Sequence, residues 1–104
     1  MRRHRKAKIV ATLGPASSSH ACILALFEAG VDVFRFNFSH GSHEDHRARF
    51  DIVRQIERDV GRPIAVMADL QGPKLRVGEF VAGEAMLETG GKLRLDLAPK
   101  LGDT

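Results

Sequence analysis

The chain has 104 residues, a size suited to one small domain, and its 43% hydrophobic and 28% charged residues exclude an intrinsically disordered protein. No apolar run reaches the roughly 18 residues that a membrane-spanning helix requires, so we expect no membrane partner. The net charge of +3 comes from a basic N-terminus that contains Arg2, Arg3, Arg5, Lys6 and Lys8. The rest of the chain is slightly acidic. We therefore interpret the N-terminus as a solvated arm and expect no nucleic-acid partner.

The first predicted elements are a strand and a helix. Residues 9–12 precede Gly14-Pro15, a pattern typical of a strand that meets a loop. A helix is predicted over residues 19–28, because candidate N-cap serines stand at 17–19 and Gly30 follows. The single cysteine, Cys22, cannot form an intrachain disulfide, so a reducing, cytoplasmic location is expected.

The second strand and helix are predicted over residues 33–36 and 44–59. Ser42 and Asp45 resemble a capping box at the start of this helix. Four apolar residues at helical spacing predict its buried face: Phe50, Val53, Ile56 and Val60.

His43 and His46 stand three residues apart in the same segment and could suggest a metal pair. No third ligand lies near them in the sequence, so we expect a solvent-facing start of the helix instead.

A third strand is predicted over residues 64–68, which completes a β-α-β-α-β order. Such alternation favours parallel strands joined by right-handed helical crossovers. After Gly72-Pro73 the pattern changes to short strands, predicted over 75–80, 85–88 and 93–97, with a hairpin turn at 89–92. We place the domain boundary between residues 77 and 78, so that residues 1–77 are α/β and residues 78–104 are β in character.

Polar residues cluster where the three predicted strands end, which is where sites form in parallel α/β folds. Oxygens that suit a hard cation come from Asn37, Ser39 and Asp69, and cations that suit phosphate or carboxylate come from Arg35, Lys74 and Arg76.

Structural roles compete with this interpretation. Ser39-His40-Gly41 could be only a turn before a helix, and Asp69 could be an ordinary cap. Arg35 is harder to explain in that way, because a charge within an apolar strand is costly to bury without a partner. We expect its side chain to reach beyond the strand end toward a partner or a ligand.

Three segments resemble pyruvate kinases in sequence, order and spacing: KIVATLGPAS at residues 8–17, AGVDVFRFNFSHG at 29–41 and DLQGPKLR at 69–76. The resemblance runs from about residue 8 to residue 104. It implies an α/β fold made of the first three strands of a (β/α)₈ TIM barrel, followed by the start of a small inserted β-domain. It also implies transfer of a phosphoryl group from phosphoenolpyruvate to ADP, giving pyruvate and ATP in glycolysis.

The resemblance implies roles for individual residues. Arg35 corresponds to the catalytic and substrate-binding arginine that contacts the transferred phosphoryl group. The ligands of a monovalent cation correspond to Asn37, Ser39, Asp69 and the carbonyl of Leu70. The residues that line the nucleotide site correspond to Thr12, Pro15, Asn37, His40 and Arg76. The carboxylates that hold Mg²⁺ and the catalytic lysine belong to later strands of the family's barrel, outside these 104 residues. We therefore expect the chain alone to be inactive and the full-length enzyme to be a homo-oligomer.

One departure concerns potassium. Family members that require K⁺ resemble DTKGPE in the third segment, whereas this chain reads DLQGPK, with Lys74 in place of the glutamate. Leu70 and Gln71 match the variant associated with potassium independence. The ammonium group of Lys74 could supply the charge of the mobile cation, so we expect K⁺ to be dispensable. An alternative for the whole chain is a truncated, non-catalytic module that binds a phosphorylated ligand or a partner chain.

Overall fold

A computed structural model describes residues 4–103 of the chain. The chain divides into two compact units, Met1–Gly72 and Pro73–Thr104. Within the described part, every helix and every strand longer than a single bridge lies in the first unit. Their order is β1 (Val10–Thr12), a 3₁₀ turn (Pro15–Ser17), α1 (His20–Ala29), β2 (Val33–Asn37), α2 (His43–Val60) and β3 (Ala65–Asp69).

The three strands form one parallel sheet in the order β1-β2-β3. This confirms the predicted α/β class and the parallel pairing of the strands. Phe34 and Phe36 alternate along β2 with partly exposed residues and are 0% and 2% exposed, so one face of the sheet is covered. The buried apolar core comprises Leu13, Ile23, Phe27, Val31, Phe34, Phe36, Val53, Ile56 and Ile64.

The helix ends follow from local chemistry. The Ser19 hydroxyl accepts a hydrogen bond from the backbone N–H of Cys22 at 3.2 Å, and Gly30 ends α1 with a φ of +126° that disfavours any residue with a side chain. At α2, Ser42 and Asp45 form the predicted capping box with two 3.1 Å hydrogen bonds. The bond from the Ser42 backbone N–H, followed by the bond with the Ser42 side chain, holds the pKa of Asp45 below its usual value of 3.8.

Two expectations for α2 are wrong. Val60, predicted to be buried, is exposed at the last residue of the helix. His46, predicted to face solvent, is only 5% exposed. Its ring lies 4.5 Å from the ring of Phe38 and 6.1 Å from that of Phe36, because the turn after β2 brings these aromatic residues over the first turns of α2.

Arg5, in the basic N-terminal arm, is exposed but contacts the folded unit; residues 1–3 lie outside the described part. The Arg5 guanidinium donates to the carbonyl oxygen of Gly30 and lies 3.3 Å from Asp32 Oδ2. The same carboxylate accepts the backbone N–H of Ile9 at 2.9 Å, and Arg62 lies 3.8 Å from its other oxygen. These contacts join the residues before β1 to those before β2.

The second unit departs from the prediction. The strands expected over residues 75–80, 85–88 and 93–97 do not form. Among residues 73–103 the structure has a single parallel bridge, between Phe80 and Gly102. The predicted turn is present as a hydrogen bond from Gly91 N–H to the Glu88 carbonyl at 3.0 Å. Leu75 and Leu97 are almost fully exposed, so these segments lack the buried face and the paired neighbours that stabilise a strand.

The division after Gly72 falls five residues before the boundary predicted after residue 77. Within the described residues, no helix combines the length and the hydropathy that crossing a bilayer would require.

Candidate functional site

The candidate site lies at the carboxyl end of the sheet, on the face opposite Phe34 and Phe36. Side chains alternate along a strand, so Arg35 and Asn37 share this other face of β2. The parallel register sets Thr12 beside Arg35 and Asp69 beside Asn37. Four of the predicted site residues therefore meet on one face: Thr12, Arg35, Asn37 and Asp69.

Arg35 connects all three strands. Its Nε donates to Asp69 Oδ2 at 3.1 Å, a second guanidinium nitrogen donates to the same oxygen, and its NH1 donates to Thr12 Oγ1 at 3.0 Å. The side chain is 30% exposed and that of Asp69 is 47% exposed. As expected, Arg35 avoids unpaired burial. Its planar group is held between two neighbours while part of it stays open to a ligand.

Asn37 and Ser39 form a tight turn directly after β2. Ser39 N–H donates to Asn37 Oδ1 at 3.1 Å, and His40 N–H donates to the Asn37 carbonyl at 3.2 Å. Phe38 N–H donates to the Asp69 carbonyl at 2.9 Å, which ties this turn to the end of β3. The turn interpretation of residues 39–41 is thus correct as geometry, and the same turn brings Ser39 and His40 to the end of the sheet.

The other predicted site residues are more dispersed. Pro15 is exposed at the start of the 3₁₀ turn after β1, and Leu70 is exposed directly after β3. Lys74 and Arg76 belong to the second unit, and both are exposed. The structure therefore brings together Thr12, Arg35, Asn37 and Asp69, whereas Lys74 and Arg76 are placed only within their own unit.

The oxygen donors at the site are those that a hard monovalent cation prefers, namely an amide, a hydroxyl and one carboxylate, from Asn37, Ser39 and Asp69. The charge of Asp69 is already balanced by Arg35. Between residues 4 and 103 there is no group of three or more His, Cys, Asp or Glu side chains that could hold a metal ion. The oxygen chemistry of Asn37, Ser39 and Asp69 is compatible with a hard cation.

Two buried polar residues of α2 adjoin the site: His46, which the sequence suggested only as a possible metal ligand, and Arg49, which it did not suggest. The Nε2 of His46 lies 2.7 Å from the carbonyl oxygen of His40. Arg49, 7% exposed, donates from Nε to Ser18 Oγ at 2.8 Å. Helical spacing could have predicted that both are buried, because positions 46 and 49 lie on the same helix face as Phe50, Val53 and Ile56.

Comparison with known proteins bears on the whole chain. The family model described as "Pyruvate kinase, barrel domain" matches residues 4–104. A pyruvate kinase of Methylorubrum extorquens is 53% identical over 104 residues, which are 100% of this chain and 22% of that protein. A pyruvate kinase of Agrobacterium vitis is 50% identical over 94 residues, covering 90% of this chain and 20% of the relative. Pyruvate kinase II of Salmonella typhimurium is 50% identical over 95 residues, covering 91% and 20%.

The chain thus spans about a fifth of the length of the curated relatives it matches. Its three strand-end segments, its parallel βαβαβ order and a family match that extends over nearly every residue agree with one another. The chain belongs to the pyruvate kinase family, within the barrel domain of that family.

Proposed function

We propose that the complete protein transfers a phosphoryl group from phosphoenolpyruvate to ADP, and that the site at the carboxyl end of the sheet takes part in this reaction. The observation that carries the proposal is the placement of Arg35. Its guanidinium is hydrogen-bonded to Thr12 and Asp69, and its side chain remains 30% exposed at the end of the sheet where ligands bind in parallel α/β folds.

Arg35 is the proposed catalytic and phosphoryl-binding residue. Phosphoryl transfer depends mainly on positioning and on charge stabilisation around the transferred group. A guanidinium already fixed by two protein contacts loses little freedom when it binds the phosphoryl oxygens. Asp69 and Thr12 thereby orient Arg35 before the substrate arrives. The enolate that remains after transfer is protonated to pyruvate.

The residues proposed to bind the nucleotide are Thr12, Pro15, Asn37, His40 and Arg76. The assignment rests on the correspondence of these positions to the family's nucleotide site. It is supported by the positions of the first-unit residues at and just beyond the ends of β1 and β2.

The cations of the reaction have different proposed origins. A divalent ion, Mg²⁺, neutralises phosphoryl oxygens when it is bound, and we place its ligands outside the described residues. Asn37, Ser39, Asp69 and the carbonyl of Leu70 would hold a monovalent ion, and their oxygen chemistry fits K⁺.

We further propose that Lys74 makes K⁺ dispensable. A lysine at this position removes the negative charge of the glutamate found in potassium-requiring members and adds a positive charge. The test is to measure the activity of wild-type and Lys74→Glu enzymes in K⁺ and in a bulky organic cation. The wild type should be indifferent to the cation and the variant should require K⁺. A wild type that is inactive without K⁺ would contradict the proposal.

The proposed architecture has β1, β2 and β3 as the first three strands of a (β/α)₈ barrel, with residues 78–104 at the start of an inserted β-domain. The exposed leucines of that segment support this assignment, because further strands of such a domain would cover them. We place the complete enzyme in the cytoplasm as a homo-oligomer.

The decisive experiment is a coupled assay of pyruvate formation with the purified complete protein, with and without ADP. We expect pyruvate to form only when both ADP and phosphoenolpyruvate are present. The 104-residue chain should be inactive in the same assay, because the family's Mg²⁺ carboxylates and catalytic lysine correspond to later strands. Binding of phosphoenolpyruvate by the complete protein without turnover would instead support a non-catalytic module.

A further inference from the structure

We infer that His46 and Arg49 of α2 are positioning residues for ADP, and that they hold the two loops that carry Pro15 and His40, two of the proposed nucleotide contacts. The inference rests on the proposed function, since Pro15 and His40 are nucleotide contacts only in that proposal. Its structural basis is independent of the proposal: two buried polar side chains, three residues apart on α2, each donate a hydrogen bond to a different loop at the carboxyl end of the sheet.

His46 holds the loop between β2 and α2. Because its Nε2 lies 2.7 Å from the carbonyl oxygen of His40, which can only accept, Nε2 must carry the proton and donate. Among the side-chain atoms of the described residues, Nδ1 of the same ring is the one buried nitrogen or oxygen without a hydrogen-bond partner.

An unpartnered buried nitrogen carries a cost in free energy. A phenylalanine could fill the space between Phe36 and Phe38 without that cost. The histidine therefore contributes something that packing alone does not: among the described residues, the one hydrogen bond of its ring goes to the carbonyl of His40.

Arg49 holds the loop between β1 and α1. Its Nε donates to Ser18 Oγ at 2.8 Å, and that hydroxyl donates to the carbonyl of Gly14 at 2.7 Å. Gly14 immediately precedes Pro15. The two hydrogen bonds, from Arg49 to Ser18 and from Ser18 to Gly14, thus fix the backbone next to Pro15.

Among the described residues, the salt bridges include none of Arg49. A buried guanidinium used mainly as a hydrogen-bond donor to a loop is consistent with a positioning role.

Both anchors stand on one rigid helix, so α2 sets the spacing between the two loops. A nucleotide that touches Pro15 and His40 together requires this spacing. Arg35 is held separately, by Thr12 and Asp69. Loss of either anchor should therefore weaken ADP binding while leaving phosphoenolpyruvate binding unchanged.

The test uses steady-state kinetics of the complete enzyme with each substrate varied in turn. His46→Phe keeps the ring and removes the donor, whereas His46→Gln keeps a donor near the Nε2 position. Arg49→Met removes the donor and the charge, whereas Arg49→Gln keeps a donor without the charge. The matched control is His43→Phe, because His43 is exposed on the same helix and also contacts the Phe38 ring.

We expect His46→Phe and Arg49→Met to raise KM for ADP about five- to tenfold, the loss typical of one hydrogen bond, with KM for phosphoenolpyruvate within twofold of wild type. His46→Gln and Arg49→Gln should restore most of the ADP affinity, and His43→Phe should behave as wild type. Thermal unfolding identifies a variant that fails to fold, and the glutamine variants then decide the question.

Equal increases of both KM values, or an unchanged KM for ADP in folded His46→Phe and Arg49→Met, would overturn the inference. A failure of Arg49→Gln to restore affinity would also overturn it for Arg49, since charge would then matter more than the donor. A wild-type enzyme without pyruvate-forming activity would refute the proposed function instead, so the two failures are distinguishable.

Discussion

The two ends of the parallel sheet each hold an arginine–aspartate pair, and the pairs differ in burial. Before β1 and β2, the Asp32 side chain is 8% exposed and contacts Arg5, Arg62 and the backbone N–H of Ile9. At the carboxyl end, Asp69 is 47% exposed and Arg35 is its ion-pair partner. The same chemistry is thus enclosed at one end and open at the other.

This difference separates stability from function. At the amino end, a backbone N–H and two arginines bind the carboxylate of Asp32, so this cluster holds the residues before β1 against those before β2. At the carboxyl end, the pair orients Arg35 and leaves both partners accessible to a ligand. In parallel α/β folds, ligands bind beyond the carboxyl ends of the strands, in agreement with this division.

The largest effect that the comparison predicts is on catalysis at the open end. Arg35→Lys in the complete enzyme should reduce kcat/KM by an amount equivalent to about 2–4 kcal/mol, as for the loss of other preorganised donors, because an ammonium cannot reproduce the contacts of a planar guanidinium. Steady-state kinetics with phosphoenolpyruvate as the varied substrate measures this loss.

The matched control is Arg47→Lys, at an exposed arginine of α2 that pairs with Asp51. It should leave the kinetics unchanged. Near-wild-type activity of Arg35→Lys would contradict a role of the Arg35–Asp69 pair in catalysis. A large loss of thermal stability in this variant would show that Arg35 has a structural role instead.

A smaller effect is expected at the enclosed end, on local stability. Asp32→Ala leaves the Ile9 N–H without its acceptor and removes the carboxylate shared by Arg5 and Arg62. We expect local opening to become easier by about 2 kcal/mol, a value reduced from that of a fully buried pair because both arginines are partly exposed. Hydrogen exchange reports this at the amides of residues 32 and 33, which donate to the Ile9 carbonyl at 2.9 and 3.1 Å. Their exchange should accelerate about thirtyfold.

Asp51→Ala provides the comparison for this measurement, since Asp51 forms an exposed i,i+4 pair whose loss should change little. The kinetic constants of Asp32→Ala should remain those of the wild type. Unchanged exchange at residues 32 and 33 would show that burial of Asp32 does not stabilise this end.

The smallest effect concerns the exposed cap of α2. The pKa of Asp45 is lowered in the folded chain, first by the hydrogen bond from the Ser42 backbone. The ionised carboxylate therefore stabilises the folded state above the usual value of 3.8, and this stabilisation is lost as the pH falls through the lowered pKa. Asp45→Ala should accelerate exchange of the first-turn amides of α2 at neutral pH, by less than Asp32→Ala does at its own site.

An NMR titration of the Asp45 carboxyl group measures the direction of the shift. A midpoint at or above the usual value of 3.8 would contradict the role of the capping box. If Asp45→Ala accelerated exchange as much as Asp32→Ala does, the cap of α2 would stabilise its end of the sheet as strongly as the Asp32 cluster stabilises the other end.

The sequence alone predicted the elements whose causes are local. Ser19 and Gly30 delimit α1, Ser42 and Asp45 start α2, and short apolar runs between them become parallel strands. Strand-end positions also identified Arg35, Asn37 and Asp69 as candidate site residues before the sheet register was known. Hydrogen bonds within one turn and the side-chain period of helices and strands depend on neighbouring residues, and these can be read directly from the chain.

Only the tertiary structure decided the features that join distant residues. The register of β1, β2 and β3 brings Arg35 to Asp69 and Thr12. The packing of α2 against the sheet buries His46 and Arg49, although they belong to a polar stretch. The predicted strands of residues 75–97 are absent because a strand also needs a paired neighbour and a covered face, which residues distant in sequence must supply.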